Sequence, residues 1–165
     1  MDAIQELTAG CVRFAERKKV KPEKDFVTFG KDEQCSAQLG RVGGRQDITF
    51  TSECLKDRGS VQRYLLRTLG LPYEHTRLDR DKYIVVNSDN ILPDHRSEFE
   101  KHAGPTFGLP YDYLSVLHCG INEYAIDKLF PTVVPLLSRT PLGKSSNLSP
   151  SDVAKLSQLY SCNNS

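Results

Sequence analysis

Apolar and polar positions follow two periods along the chain, and together they predict a mixture of helices and strands. Near the N-terminus, apolar residues recur at helical spacing: Ala3, Ile4, Leu7 and Cys11. Gly10 is a suitable end for such a helix. The stretch CVRFAE then alternates as a strand does, DFVTFG predicts a strand that ends at Gly30, and residues 47–50 predict another. The first part of the chain is therefore expected to hold one short helix and several short strands.

A second helix is predicted from Ser60, a good N-cap, to Leu69, with Gly70 as its end. Its apolar residues lie four apart on one face: Val61, Leu65 and Leu69. Arg63 and Arg67, also four apart, lie nearly opposite that face. On helix geometry alone, this pattern indicates an amphipathic helix with two solvated arginines.

The rest of the chain is rich in loops and ends with the clearest helix. Residues 87–110 predict a loop region with a short helix around Phe99, and FPTVVPLL is extended because its two prolines forbid a helix interior. In LSPSDVAKLSQLY, Ser149 caps a helix, Pro150 takes its first position, and Asp152 completes a pair like a capping box. These elements predict one α+β domain with long loops, a type that disulfides often stabilise.

Charge and hydropathy argue against two classes of partner. The 165 residues include 22 Lys and Arg and 21 Asp and Glu, for a net charge of +1. This balance gives no support to a nucleic-acid partner, which usually needs a basic face. No apolar run is long enough to cross a membrane. The start of the chain, MDAIQELTAG, also lacks the basic and apolar stretches of a signal peptide.

The cysteines nevertheless suggest an oxidising compartment. There are five, and none forms a CxxC pair, so a cysteine zinc knuckle is not indicated. Cys11 and Cys162 lie near the two ends of the chain, where a disulfide would constrain the unfolded state strongly. Because the number of cysteines is odd, at least one of them is either a free thiol or part of a disulfide with another chain. Asn147 and Asn163 stand in glycosylation sequons, which are common by chance.

Residues 61–83, VQRYLLRTLGLPYEHTRLDRDKY, resemble a zinc protease motif in which the zinc ligands are replaced. The motif is that of the astacin family of secreted zinc endopeptidases, His-Glu-x-x-His-x-x-Gly-x-x-His-Glu-x-x-Arg followed by Asp-Arg-Asp, aligned here on Gly70. CSAQLGRVGGRQDITFTSEC is similar to the segment before the family's zinc helix, and YDYLSVLHCG to its Met-turn. ELTAGCVRF resembles the family's first helix and following strand, and FPTVVP and LSPSDVAKLSQLYSC resemble its C-terminal stretch. The resemblance covers nearly the whole chain.

The resemblance implies an α+β fold, that of an astacin-like metzincin catalytic domain. It implies a single domain over residues 1–165, with an N-terminal part of roughly residues 1–72 and a C-terminal part of roughly 73–165. A mixed sheet, an active-site helix and a C-terminal helix are expected. Because the chain starts inside what resembles the family's first helix, it is expected to be N-terminally truncated.

The resemblance also implies how the cysteines pair. By analogy, the disulfides are Cys11–Cys162 and Cys35–Cys54, which leaves Cys119 as the odd cysteine. The family is secreted, so an extracellular location is implied even though the chain shows no signal peptide.

The positions that carry the family's chemistry have changed. The three zinc-ligand positions hold Arg63, Arg67 and Tyr73, and the catalytic glutamate position holds Tyr64. Arginine has no lone pair to offer and stays protonated, so it cannot bind a metal. Tyr64 cannot serve as a carboxylate base, and Leu117 replaces the methionine of the Met-turn. We therefore expect no zinc and none of the family's catalysis.

The rest of the motif is retained, and we call these residues the motif frame: Gly70, Glu74, Arg77, Asp79, Arg80, Asp81, Ser115 and His118. Glu74 is expected to be a structural acceptor, and the two arginines are expected to pair with a carboxylate that the sequence does not identify. A metal site rebuilt from His75, His118 and Cys119 is not expected. Neither histidine position binds zinc in the family, and Cys119 replaces a tyrosine. Reactive thiol chemistry at Cys119 is not expected either, because adjacent residues such as His118 and Cys119 point apart in an extended stretch.

The resemblance leaves one function that needs no metal. In the family, an edge strand pairs with an extended peptide, and here that strand corresponds to Ser36, Ala37, Gln38 and Leu39, beside residues 47–50. Strand addition uses main-chain hydrogen bonds alone. The sequence thus predicts an inactive astacin-like pseudopeptidase that binds or regulates peptides or proteins. The alternatives are an active zinc metalloendopeptidase with a non-standard site and a truncated, degenerate relative without a retained role.

Overall fold

The two ends of the chain belong to the same compact unit. The computed structural model describes residues 1–20, 22–137, 142–143 and 145–162, so the sequon at Asn163 lies outside the described residues. The two units are Met1–Leu71 with Ser146–Ser165, and Pro72–Ser145. The boundary after Leu71 lies close to the division expected from sequence. The C-terminal helix, however, lies in the first unit and not with the C-terminal part, and the disulfide Cys11–Cys162 joins it to the N-terminal segment.

The first unit is built around a three-stranded sheet. Its helices are α1 (Asp2–Leu7), α2 (Ser52–Lys56), α3 (Arg58–Thr68) and α4 (Pro150–Leu159), and its strands are β1 (Phe26–Lys31), β2 (Ser36–Ala37) and β3 (Arg45–Phe50). β3 lies in the middle, parallel to β1 and antiparallel to β2. α3 contacts β2 and β3. The buried apolar residues of this unit include Ile4, Ile48, Phe50, Leu65, Leu66 and Leu156.

Two of the predicted strands are confirmed and one is wrong. DFVTFG corresponds to β1, and residues 47–50 lie within β3. Residues 11–16, CVRFAE, form no strand. Alternation of apolar and polar residues is not sufficient for a strand, because the main chain also needs a neighbour with which to form a ladder. Helix α2, with Thr51 as its cap, was not predicted.

α3 starts slightly earlier than expected. The carboxylate of Asp57 accepts hydrogen bonds from the main-chain nitrogens of Gly59 at 3.3 Å and Ser60 at 2.9 Å. Asp57 is therefore the N-cap, and the prediction that Ser60 caps the helix is wrong. Aspartate and serine are equally favourable N-caps, so residue type alone does not show which of Asp57 and Ser60 starts the helix. At the other end, Gly70 has φ +104, which confirms that a glycine is needed there.

The capping box of α4 is confirmed. Ser149 Oγ accepts from the Asp152 nitrogen at 3.0 Å, and Asp152 Oδ2 accepts from the Ser149 nitrogen, also at 3.0 Å. The hydroxyl of Tyr160, just past the helix, donates to the carbonyl oxygen of Leu69 at 3.0 Å. These contacts fix both ends of α4 within the first unit.

The second unit consists mainly of turns and short helices. β4 (Ile84–Val86) pairs antiparallel with β5 (Val133–Pro135), which confirms that FPTVVP is extended. Its 3₁₀ helices are Glu74–Thr76, Arg80–Lys82, Ser88–Asn90 and Pro93–Phe99, the last of which matches the short helix expected around Phe99. Its core cluster contains Ile84, Ile91, Phe99, Tyr111, Cys119, Val133 and Leu142. Among the described residues of the chain, no helix has the length and apolar character needed to span a membrane.

A buried arginine connects several loops of the second unit. The side chain of Arg77 is 7% exposed. It donates to Glu74 Oε1 at 2.8 Å, to both carboxylate oxygens of Asp79 at 2.9 Å, and to the carbonyl oxygen of Pro110 at 3.2 Å. Glu74 Oε1 also accepts from the Asp112 nitrogen at 2.9 Å. Glu74 is thus a structural acceptor, as expected. The hydrogen bonds offset the cost of removing these charged groups from water, as a buried ion pair requires.

The two disulfides should differ in their contribution to stability. Cys11–Cys162 closes a sequence separation of 151 and Cys35–Cys54 one of 19. In the chain-entropy model these closures stabilise the fold by about 5 and about 3 kcal/mol respectively. We expect the Cys11→Ser/Cys162→Ser double variant to lose about 2 kcal/mol more than Cys35→Ser/Cys54→Ser in urea unfolding. Equal losses would contradict the entropic account of the longer closure.

The Arg77 network predicts a defined response to acid. Hydrogen bonds from Arg77, followed by its charge, hold the pKa of Asp79 below the ordinary value. Such a group stabilises the fold above its unfolded pKa of about 3.9, and the contribution is lost as the pH falls through the lower folded pKa. We expect Asp79→Asn to cost about 1–2 kcal/mol at neutral pH. The difference from the unchanged protein should shrink below about pH 4.

Urea unfolding at several pH values measures this difference. Asp94→Asn is the matched control, since Asp94 is an exposed carboxylate in the same unit, and exposed substitutions usually change stability little. An Asp79→Asn cost that stays constant down to about pH 2 would contradict the assignment.

Candidate functional site

The arginines at the zinc-ligand positions of α3 are half-buried. Arg63 and Arg67 are both intermediate in exposure, so they are less solvated than the helix pattern alone predicts. Arg67 Nε donates to the carbonyl oxygen of Ala37, in β2, at 3.0 Å. The side chain reaches the sheet because α3 packs against β2. The guanidinium group at the second ligand position is therefore a main-chain hydrogen-bond donor within the first unit.

The other two changed positions of α3 also have structural contacts. The ring of Tyr64, at the glutamate position, makes an edge contact with Phe50, with centroids 5.9 Å apart and planes at 82°. Such aromatic pairs are stabilising. The hydrogen bond from Ser60 lowers the pKa of Asp57, and the charge of Arg63 lowers it further. Asp57 is also the N-cap of α3, and Arg63 is one of several groups that favour its charged form.

These side chains do not fit a zinc ion. Zinc is held in proteins by thiolate, imidazole or carboxylate donors, whereas a guanidinium group has no lone pair to donate. Arg67 is additionally engaged with Ala37. In the second unit, the ring of Tyr73 stacks on His75 with centroids 5.2 Å apart and planes at 18°. One tyrosine oxygen is the only potential donor among the three ligand positions, and a single weak donor does not retain zinc.

Two buried histidines in the second unit are held in defined tautomers. His75 Nδ1 accepts from the Cys119 nitrogen at 3.1 Å, so its Nε2 carries the proton and donates to the carbonyl oxygen of Glu98 at 3.1 Å. His118 Nδ1 donates to the carbonyl oxygen of Cys119 at 2.9 Å, and its Nε2 shares a hydrogen bond with the hydroxyl of Tyr111 at 2.8 Å. Each imidazole therefore has a hydrogen-bond partner on both nitrogens.

The expectation that His118 and Cys119 point apart is wrong. Cys119 Sγ lies 3.9 Å from His118 Nδ1, and the His75 and His118 rings are 6.0 Å apart. The segment is a turn, with the His118 nitrogen donating to the Ser115 carbonyl oxygen at 3.1 Å, so the alternation of an extended strand does not apply. Cys119 is buried and lies outside both disulfides. Within the described ranges, no three His, Cys, Asp or Glu side chains are grouped to hold a metal ion.

The remaining residues of the motif frame support loops. Arg80 donates to the carbonyl oxygens of His75, at 3.0 Å, and Phe99. Asp81 accepts from Arg80 at 3.1 Å and from Lys101 at 2.7 Å. The buried hydroxyl of Ser115 accepts from the Leu117 nitrogen at 3.0 Å. The sequence identified these positions through the motif but missed Tyr111, whose role depends on a contact seven residues away.

The predicted peptide-binding edge is partly a strand. β2 contains Ser36 and Ala37, while Gln38 and Leu39 lie beyond its end. β2 is an outer strand of the sheet, and Ser36, Gln38 and Leu39 are exposed. The disulfide Cys35–Cys54 and the bond from Arg67 to Ala37 fix this segment at its start and middle. Strand addition requires an outer strand, which β2 is, although the carbonyl oxygen of Ala37 already accepts from Arg67.

Comparison with known proteins identifies the family of the chain. The model of the Astacin peptidase family matches residues 1–161. The Astacin-like metalloendopeptidase of Mus musculus is 38% identical over 168 residues, which cover 100% of this chain and 38% of that protein. High choriolytic enzyme 1 of Oryzias latipes is 32% identical over 153 residues, which cover 92% of this chain and 56% of that protein.

A solved structure gives the same result for the fold. High choriolytic enzyme 1, a hatching enzyme zinc-protease from Oryzias latipes, superposes with a TM-score of 0.88 at 30% identity, over 98% of this chain and 80% of that chain. The chain spans 38% and 56% of the two curated relatives named above. Sequence and structure therefore agree that this chain belongs to the astacin family of metallopeptidases.

Proposed function

We propose that this chain is an astacin-type pseudopeptidase, a module that binds extended peptide without zinc and without cleaving it. The observation that carries the proposal is the hydrogen bond from Arg67, at a zinc-ligand position, to the main chain of β2. A residue that would otherwise serve catalysis instead stabilises the strand that would bind the peptide.

The chemistry of the changed positions supports the absence of catalysis. Zinc endopeptidases of this kind use two histidines four apart on a helix, a third histidine beyond a glycine, and a glutamate that activates the metal-bound water. Here the helix carries Arg63, Tyr64 and Arg67 instead, and Tyr64 contacts Phe50 while Arg67 donates to β2. Neither a Lewis acid nor a general base is supplied by these side chains.

The binding function depends on features that the substitutions leave in place. β2 is at the edge of the sheet, and its partner β3 is held in the middle by β1. Peptide main chain can add to such an edge through hydrogen bonds, with the exposed side chains of Ser36, Gln38 and Leu39 setting any preference. An extracellular location is part of the proposal, since disulfides such as Cys11–Cys162 persist in oxidising compartments.

Metal content tests the absence of zinc directly. We expect the folded, oxidised protein to retain close to no zinc after loading and dialysis. The triple variant Arg63→His/Arg67→His/Tyr73→His restores the family's ligands and should retain about one zinc per chain. Adding Tyr64→Glu should then restore cleavage of a casein substrate, while the triple variant stays much less active because it lacks the base.

Two outcomes would contradict this part of the proposal. About one zinc per chain in the unchanged protein would show a site built from other residues. Cleavage by the unchanged protein that a chelator abolishes would show an active peptidase with a non-standard site.

The role of Arg67 is testable by a substitution on the same helix. Arg67→Met removes the bond to Ala37 and should lower the free energy of unfolding by about 1–2 kcal/mol, as for a charged donor to a carbonyl. It should also weaken binding of an extended, blocked peptide severalfold, measured from amide shifts of Ser36 to Leu39 by NMR, because β2 is less ordered before binding. Arg58→Met, at an exposed position of α3, is the control and should change neither quantity. Peptide shifts absent from β2 in the unchanged protein would contradict peptide binding at this edge.

A further inference from the structure

Positive charge is concentrated in one short segment of the first unit, residues 16–24, ERKKVKPEK. This segment holds five basic and two acidic side chains. The rest of the chain holds 17 of the 22 basic and 19 of the 21 acidic side chains, so the small net charge conceals a local excess of cations. Residues 16–20 and 22–24 are all exposed, and Lys21 lies outside the described residues. We call residues 16–20 and 22–24 the basic loop.

The two arms of the basic loop are held together at its base. Arg17 Nε donates to the carbonyl oxygen of Glu23 at 3.2 Å, and its guanidinium carbon lies 3.8 Å from the ring centroid of Phe26 in β1. Hydrogen bonds from the main-chain nitrogens of Glu23 and Lys18, together with the charges of Lys18 and Arg17, lower the pKa of the Glu23 carboxyl group. Arg17 and Glu23 therefore serve the structure of the loop itself, and its lysines are the cations that a ligand meets.

The charged side chains next to the loop form neutral pairs. Arg41 pairs with Asp25, and Arg45 pairs with Asp47 at 3.0 Å. Arg45 is in register with Phe26, so its side chain lies on the face of the sheet where Arg17 covers the Phe26 ring. These pairs leave the excess positive charge of the basic loop uncompensated.

The exposure of the lysines does not depend on which other segments pack against the first unit. A lysine ammonium group is almost never buried without a partner. Its long aliphatic stem also lets the charge reach water when the rest of the side chain is covered. Lys18, Lys19 and Lys24 therefore mark a positively charged surface of this unit.

The chemistry of this surface suits a linear sulfated polysaccharide. Short segments rich in Lys and Arg are typical of heparin-binding or nucleic-acid-binding surfaces. Sulfate groups repeat along such a polymer, so several lysines of one loop bind it at once and release its counterions. A single-stranded nucleic acid would gain affinity from base stacking on an open aromatic ring, and at this loop the ring of Phe26 is covered by Arg17.

We propose that the basic loop binds a sulfated polysaccharide through the ammonium groups of Lys18, Lys19 and Lys24. The proposal rests on the extracellular location that is part of the proposed function, and it needs neither peptide binding nor the absence of zinc. The loop leads into β1, whereas β2 is at the opposite edge of the three-stranded sheet. The polysaccharide would hold the module at a sulfated surface while the β2 edge stays accessible to peptide.

The test is titration calorimetry with a heparin oligosaccharide as the probe. The unchanged protein should bind it at a physiological salt concentration of about 0.15 M, and the logarithm of the affinity should fall linearly with the logarithm of the salt concentration. The triple variant Lys18→Gln/Lys19→Gln/Lys24→Gln should bind about tenfold more weakly, and its salt slope should be smaller by about two to three.

Two variants separate the site from the net charge. Lys56→Gln/Lys82→Gln/Lys128→Gln removes the same charge from dispersed exposed positions and should leave the affinity within about twofold. Lys18→Arg/Lys19→Arg/Lys24→Arg keeps the charge of the loop and should retain binding. Far-UV circular dichroism checks that all three variants are folded, and peptide titration at β2 in the same samples measures the proposed function separately.

Three outcomes would overturn the proposal. Absence of heparin binding by the unchanged protein, with the peptide shifts at β2 intact, would remove the polysaccharide site and leave the proposed function standing. Equal weakening by the two glutamine triple variants would show that only the net charge matters. Equal affinity for poly-glutamate or oligothymidylate of matched charge would show that the loop does not select a sulfated polymer.

Discussion

The main-chain hydrogen bonding of a three-stranded sheet is the constraint on which the first unit depends. β3 satisfies both of its edges, with β1 in parallel and β2 antiparallel, and its inward side chains are among the most buried of the chain. Within the part of the chain that the structure describes, β1 and β2 each pair along one edge. α3 packs against β3, and a disulfide fixes the start of β2.

The motif frame has a structural function that does not need a metal. Arg77 is buried, and removal of either Glu74 or Asp79 would leave a charge with fewer compensating hydrogen bonds. Arg80 likewise satisfies carbonyl oxygens of two different loops. In a unit built mostly of turns, such side chains take the place of secondary structure as partners for the main chain. The frame therefore constrains the fold whether or not catalysis is present.

The residues at the family's ligand and glutamate positions take part in packing and hydrogen bonding. Tyr64 packs against Phe50, Tyr73 stacks on His75, and Arg67 donates to Ala37. Each substitution introduces a larger or more strongly donating side chain, and each has a defined contact in its own unit. The contacts show how the fold accommodates these residues.

The sequence by itself determined the family, through its ordered motifs, and with the family the pairing of the two disulfides. It also determined the start of α4, because a capping box depends on local spacing alone, and it excluded zinc-ligand chemistry at Arg63 and Arg67, since that follows from the side chains. Only the tertiary structure decided that CVRFAE forms no strand, that Asp57 caps α3, and that His118 and Cys119 lie side by side. A strand needs a neighbouring strand with which to pair. A helix cap needs a side-chain oxygen placed to accept from the first main-chain nitrogens. In a turn, side chains of adjacent residues do not alternate as they do in an extended strand. All three depend on contacts that the periodicity of apolar and polar residues does not predict.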